Sequence, residues 1–152
     1  RIVEAVTEVN ASQKARMVSK IREALGGSEA DKVVAVLGLT FKPETDDMRD
    51  APALAILPAL ADRGAVIRAH DPEGTEVARK LLPDSITYPD TIESAVSGAD
   101  AVVLMTEWNQ YRGLNLAELR ETMRGDVFVD LRNVYEAKLM ERAGLRYFGV
   151  GR

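Results

Sequence analysis

The sequence contains no cysteine, which excludes disulfides, thiolate metal sites and a cysteine nucleophile within these 152 residues. Histidine occurs once, at His70. Neither general base catalysis by a paired histidine nor a histidine metal cluster can be assembled, so His70 reads as structural. Aromatic residues make up 5% and charge balances to -4. With no basic stripe interrupting the chain, this argues against a nucleic-acid or anionic-membrane surface. Apolar runs are broken by charges or prolines well short of membrane-spanning length, and the amino terminus lacks a signal-peptide pattern. A cytoplasmic protein is the expectation. The opening on Arg1 in mid-helix suggests a piece of a longer one.

What is present is the 46% hydrophobic, 29% charged balance of one soluble domain. Ile2, Val3, Val6, Val9, Met17, Val18, Ile21 and Leu25 recur at helical spacing up to Gly26-Gly27, which predicts one amphipathic helix over 1–25. From Asp31 the pattern changes to short β-branched runs alternating with helical stretches: VVAVL at 33, AVIRAH at 65, SITY at 85, AVVLM at 101, VFVD at 127 and LRYFGV at 145. That alternation predicts an α/β fold, a Rossmann-like doubly wound parallel sheet of about six strands in the order 3-2-1-4-5-6. Asp50 is expected to cap a helix ending at Gly64, Asn115 one running to Gly125, and Tyr135 to Ala143 form the last. Pro58 falls inside the first of these helices, where an interior proline costs roughly 3 kcal/mol if uncompensated.

Ligands of such sheets sit beyond the carboxyl ends of the strands, where the winding reverses. The segments there are GLTFKPETDDMR, TEWNQY and DLRN. A dinucleotide cradle needs several small glycines, and only Gly38 fits. Asp71, at the position of a ribose-binding acid, reads more simply as an Asp-Pro turn. Lys42, Arg49 and Arg132 instead offer three cations, which can neutralise a diphosphate without backbone amides. The bland alternative pairs Lys42 and Arg49 with Glu44, Asp46 and Asp47. Trp108 either stacks on a ligand or packs its loop down, with Thr106 and Glu107 fixing the turn.

VAVLGLTFKPETDDMRDAP, LADRGAVIRAHDP, ADAVVLMTEWNQY and VFVDLRN together resemble the carboxyl-terminal UDP-binding domain of the UDP-glucose/GDP-mannose dehydrogenase family, in its UDP-glucose 6-dehydrogenase branch. AVTEVNASQKARMVSKI is similar to the end of that family's central helix. The resemblance implies that residues 1–27 close the dimerisation helix and 28–152 form the UDP-sugar domain. It implies that Phe41, Lys42 and Arg132 contact the UDP-sugar and that Arg49 reaches the NAD held mainly by an upstream domain. Family chemistry oxidises the sugar's C6 alcohol twice, with two NAD and a cysteine adduct. The chain alone is therefore expected to be inactive, with no catalytic or metal residue of its own, and to sit in a homodimer. Sister enzymes act on UDP-N-acetylhexosamines or GDP-mannose; Thr106-Glu107-Trp108 resembles the glucose branch. Asp46-Asp47 also invites comparison with a response-regulator module, but Tyr88-Pro89 and Leu131-Arg132 stand where that fold needs aspartate and lysine. A free-standing nucleotide-binding or scaffold domain is the remaining alternative.

Overall fold

A computed structural model describes residues 2–150, with side chains from Ser12 onward. Helix α1 spans Ile2–Ala24. Gly26 and Gly27 take φ of 90° and 100°, and their N–H groups bond the Glu23 and Arg22 carbonyls at 3.0 and 2.9 Å, which ends the helix where a side-chain-bearing residue would be strained. Of the expected apolar stripe, Ile21 and Leu25 are buried and Met17 and Val18 pack partly against the core. Ile2, Val3, Val6 and Val9 lie outside the described side chains. The Arg22 guanidinium donates to both oxygens of buried Glu29 at 3.1 and 2.9 Å, fastening the end of α1 to the chain that leads into the sheet.

The remaining elements alternate: β1 (Val33–Leu37), α2 (Ala53–Asp62), β2 (Val66–His70), α3 (Thr75–Leu81), α4 (Ile92–Val96), β3 (Ala101–Leu104), α5 (Asn109–Arg112), α6 (Leu116–Thr122), β4 (Val127–Asp130), α7 (Ala137–Arg142) and β5 (Arg146–Gly149). They form one parallel sheet ordered β2-β1-β3-β4-β5. Alternate strand residues supply two cores. Val34 and Val36 join Ile21, Ile56, Leu57 and Leu60 on one face, whereas Ala35 and Leu37 join Val102, Leu104, Tyr111 and Phe128 on the other. Helices cover both faces, which is why these strands read as unbroken β-branched runs. Each large side chain so buried contributes about 1.5–3 kcal/mol.

Three sequence expectations are corrected. The predicted SITY strand is a single bridge, Thr87 to Arg68, in which the Thr87 N–H bonds the Ile67 carbonyl at 3.2 Å and the Thr87 carbonyl accepts from Ala69 at 2.9 Å. Pro83 and Pro89 flank it, and a proline has no N–H to extend a ladder, so among the described residues the sheet has five strands rather than six. Asp50 does not cap α2: it occupies a left-handed turn at φ 59°, and α2 starts after Pro52 without a side-chain cap. Helix α7 begins at Ala137 rather than Tyr135, because its N-cap Glu136 is extended at φ -86° and ψ 136°, and the Tyr135 N–H bonds Asp130 at 2.9 Å instead. The Asn115 cap is as expected, accepting the Glu118 N–H at 3.1 Å, although α6 stops at Thr122. Pro58 does lie inside α2.

His70 is buried at the end of β2, its Nδ1 2.6 Å from the Tyr111 hydroxyl, which donates to the His70 carbonyl at 2.9 Å. Burial pushes the imidazole below its ordinary 6.5, outweighing the pull of Asp71, the Asp90 backbone and Glu93. The fold thus favours the neutral ring, while the unfolded chain takes up a proton near pH 6.5. Stability is present above that pH and is lost as pH falls through it toward the lowered native value. We expect the urea midpoint to drop between pH 7 and pH 5 by more than in a His70→Gln variant. Equal drops would contradict this assignment.

Candidate functional site

In a wholly parallel sheet the loops that follow the strands share one edge, and here the winding reverses between β1 and β3. The first loop leaves β1 through Gly38, at φ 97° with its N–H on the His70 carbonyl at 2.8 Å. A Cβ there would lie 2.5 Å from the Cβ of Thr106, so the glycine serves a close passage over β3 rather than a phosphate. The buried Thr106 hydroxyl donates to the Thr40 carbonyl at 2.8 Å and ties the two loops together across the reversal.

Asp71 then decides what the next amides can do. One carboxylate oxygen accepts the Leu39 and Thr40 N–H groups at 2.7 and 3.2 Å, and the other accepts those of Glu73 and Gly74 at 2.9 and 2.6 Å. Asp71 is buried. It is the turn-forming residue of the sequence reading, with its acceptor sites occupied rather than open to a ribose. The amides that a phosphate cradle would use after β1 face a carboxylate instead.

Beyond Thr40 the chain closes on itself, with the Phe41 N–H on the Asp47 carbonyl at 3.1 Å, the Thr40 hydroxyl on the Lys42 carbonyl at 2.9 Å and Glu44 at φ 65°. Phe41 is 49% exposed, unusual for a phenylalanine, and Lys42 is exposed beside it. Arg49 is exposed too, held by Asp47, which accepts its backbone N–H at 2.9 Å and its guanidinium at 3.1 and 3.0 Å. That side-chain bond draws the Asp47 carboxyl down to about 2. The bland pairing of Arg49 is therefore real; the structure records no ion pair for Lys42 among the described residues.

After β3, Trp108 is buried against Leu37, Leu104 and Tyr111, so it packs its loop rather than offering a stacking face. Thr106 fixes the turn as expected. Glu107 does not, since it reaches to the loop after β4 and forks onto Arg132, with Nη2 to Oε1 at 3.0 Å and Nε to Oε2. Arg132 sits on a turn built by Asp130, a fully buried carboxylate that accepts the Arg132, Val134 and Tyr135 N–H groups at 3.0, 2.8 and 2.9 Å and the Tyr147 hydroxyl at 2.8 Å. Asn133, at φ 54°, exchanges two hydrogen bonds with Val150 at 3.0 and 2.9 Å. The sequence alone does not mark Glu107 or Asp130 as a site residue. The signal for Asp130 is its type and place, since a strand-ending aspartate bonds amides two or more residues on.

The strand-end loops thus carry Phe41, Lys42 and Arg49 after β1 and Arg132 after β4, with Arg132 joined to the β3 loop through Glu107. A groove of about 700 Å³ along α1, reaching from Ser12 to Glu23 and to Val150, includes none of them. Among the described residues no cluster of three or more His, Asp or Glu could hold a metal, and no helix is long and apolar enough to cross a membrane.

Residues 35–137 match the UDP binding domain of the UDP-glucose/GDP-mannose dehydrogenase family. The chain is 46% identical over its whole length to a UDP-glucose 6-dehydrogenase of Rhizobium meliloti, of which it covers 35%. Among solved structures it resembles a UDP-glucose dehydrogenase from Pyrobaculum islandicum, with a TM-score of 0.77 and 36% identity over 97% of this chain and 31% of that one. It also resembles an NDP-N-acetyl-D-galactosaminuronic acid dehydrogenase from Methanosarcina mazei, with a TM-score of 0.85 and 27% identity over 100% of this chain and 32% of that one. The chain spans about a third of the length of these relatives. It belongs to the UDP-glucose/GDP-mannose dehydrogenase family, and its parallel sheet is that family's UDP binding domain.

Proposed function

We propose that this chain is the UDP-sugar-binding part of an NAD-dependent UDP-glucose 6-dehydrogenase, and that it grips the diphosphate with side-chain cations. The observation that carries this is the Asp71 carboxylate on the Leu39 and Thr40 amides. With those donors occupied by an anion, a diphosphate at this edge is met by charged side chains, and Lys42 and Arg132 are exposed cations on the loops after β1 and β4, with exposed Arg49 assigned to NAD. Exposed Phe41 supplies an apolar face beside Lys42 for the nucleotide sugar.

The same occupied amides leave no glycine-rich dinucleotide cradle, so NAD belongs mainly to the part of the enzyme outside these residues, with Arg49 reaching it from this side. Asp47 suits Arg49 to that task by fixing its guanidinium outside the sheet. NAD supplies the hydride acceptor. The cysteine nucleophile of the proposed chemistry must also lie outside this chain, which has none. Residues 1–27 form the end of a helix through which the enzyme dimerises, residues 28–152 the sugar-nucleotide domain, and the enzyme works in the cytoplasm. UDP-glucose is favoured over other nucleotide sugars by the 46% identity noted above. Turnover measured across UDP-glucose, UDP-N-acetylhexosamines and GDP-mannose tests that choice, and preference for a sugar other than glucose would reject it.

Calorimetric titration of the full-length enzyme with UDP-glucose should show Lys42→Ala and Arg132→Ala each losing about 1.5–3 kcal/mol, the scale of hydrogen bonds to charged groups. Unchanged affinity in both refutes the reading. In steady-state kinetics of the same proteins, Arg49→Ala should raise KM for NAD more than KM for UDP-glucose; the reverse order removes its assigned role.

A further inference from the structure

The fork between Glu107 and Arg132 looks at first like a reason to discount Arg132 as a ligand-binding cation. Its geometry says otherwise. A guanidinium carries five N–H donors in one plane. The carboxylate takes one from Nε and one from Nη2, along a single edge. Nη1 and the second Nη2 hydrogen remain, and no other hydrogen bond from this side chain to a described residue is present.

Glu107 is itself well placed to hold that edge. It stands between Thr106, whose hydroxyl is fixed on the Thr40 carbonyl at 2.8 Å, and Trp108, which is buried. On the other side, Asp130 accepts the Arg132 backbone N–H at 3.0 Å, so the backbone of each partner is anchored before the side chains meet. An arginine on an exposed loop ordinarily gives up much rotamer freedom when it binds. Here the fork onto Glu107 already restricts that freedom.

We propose that Glu107 is a positioning residue for recognition of the nucleotide diphosphate: by holding the Nε–Nη2 edge of Arg132, it turns the remaining donors toward the oxyanion before the ligand arrives. This rests on the assignment of Arg132 to the diphosphate. It also predicts the direction of a substitution that simple charge counting would get backwards. Glutamine removes an anion near the site and by charge alone should tighten phosphate binding. It also sets an amide NH2 against one of the two guanidinium donors and breaks the fork. Because the pair is partly exposed and screened, loss of orientation should outweigh the charge gained.

The test compares Glu107→Gln, Glu107→Asp and Arg132→Ala in the full-length enzyme, using UDP as the calorimetric probe and UDP-glucose with NAD in kinetics. Glu107→Gln should raise Kd for UDP and KM for UDP-glucose by about tenfold. It should leave kcat, KM for NAD and the thermal midpoint nearly unchanged, with Glu107→Asp recovering part of the affinity. A structural role alone would not split KM from kcat in this way. If Glu107→Gln binds UDP equally or more tightly while Arg132→Ala is weakened, the positioning role is overturned and Arg132 keeps its place. If Arg132→Ala also binds normally, the assignment of Arg132 falls and the role of Glu107 falls with it.

Discussion

Asp130→Ala is expected to destabilise the chain by about 3 kcal/mol, with Asp130→Asn at roughly half that loss. The carboxylate is fully buried and accepts three backbone N–H groups and one phenolic hydroxyl, at 2.8–3.0 Å. Alanine takes this acceptor from three backbone N–H groups, in surroundings buried at Tyr135 and partly buried at Arg132 and Val134, while the Tyr147 hydroxyl keeps the Tyr135 carbonyl at 2.9 Å; losing such a bond at a buried group costs about 1–3 kcal/mol before relaxation. Asparagine retains one acceptor oxygen but turns an NH2 toward at least one N–H, and it removes the charge that strengthens every remaining bond. Guanidinium denaturation of the 152-residue chain measures both; a loss below about 1 kcal/mol for alanine would show that the turn holds without the carboxylate. Since that turn presents Arg132, affinity for UDP should fall in the same variants under conditions where they remain folded.

Gly38→Ala should cost about 3 kcal/mol by two separable routes. The φ of 97° is strained for any residue with a Cβ, on the order of 1–2 kcal/mol. The added methyl would also lie 2.5 Å from the Thr106 Cβ and 2.6 Å from its backbone nitrogen. Overpacking of this kind adds about 1–3 kcal/mol. Little can yield, because Leu37 and Leu104 are paired in the sheet and the Gly38 N–H is held by His70. Gly98 provides the internal control, with φ of 71° and no neighbouring atom within 4 Å of where a methyl would be added. Gly98→Ala should therefore lose only the conformational part. Equal losses at the two positions would mean that the close passage over Thr106 carries no energetic weight.

Legibility in the sequence followed the range of the interaction. The parallel order could be read because each strand is buried on both faces and shows as an apolar run such as VVAVL or AVVL, separated by helical stretches. The Asn115 cap could be read because donor and acceptor are three residues apart. The strand-end rule placed Lys42, Arg49 and Arg132 on one edge without any knowledge of contacts. It could not show that Asp71 closes the amides of a loop 31 and 32 positions earlier, nor that Glu107 meets Arg132 across 25 positions, because nothing in local spacing encodes a side-chain bond between separate loops. The lost strand at Thr87 was masked by its β-branched residues, whose propensity was overridden by the flanking prolines.

The most direct test is a crystal structure of the full-length enzyme with UDP-glucose bound. Diphosphate oxygens should lie within about 3 Å of Lys42 Nζ and of the outer guanidinium nitrogens of Arg132, with Asp71 still on the Leu39 and Thr40 amides. A diphosphate seated on those amides, or lying far from both cations, would contradict recognition by side-chain cations.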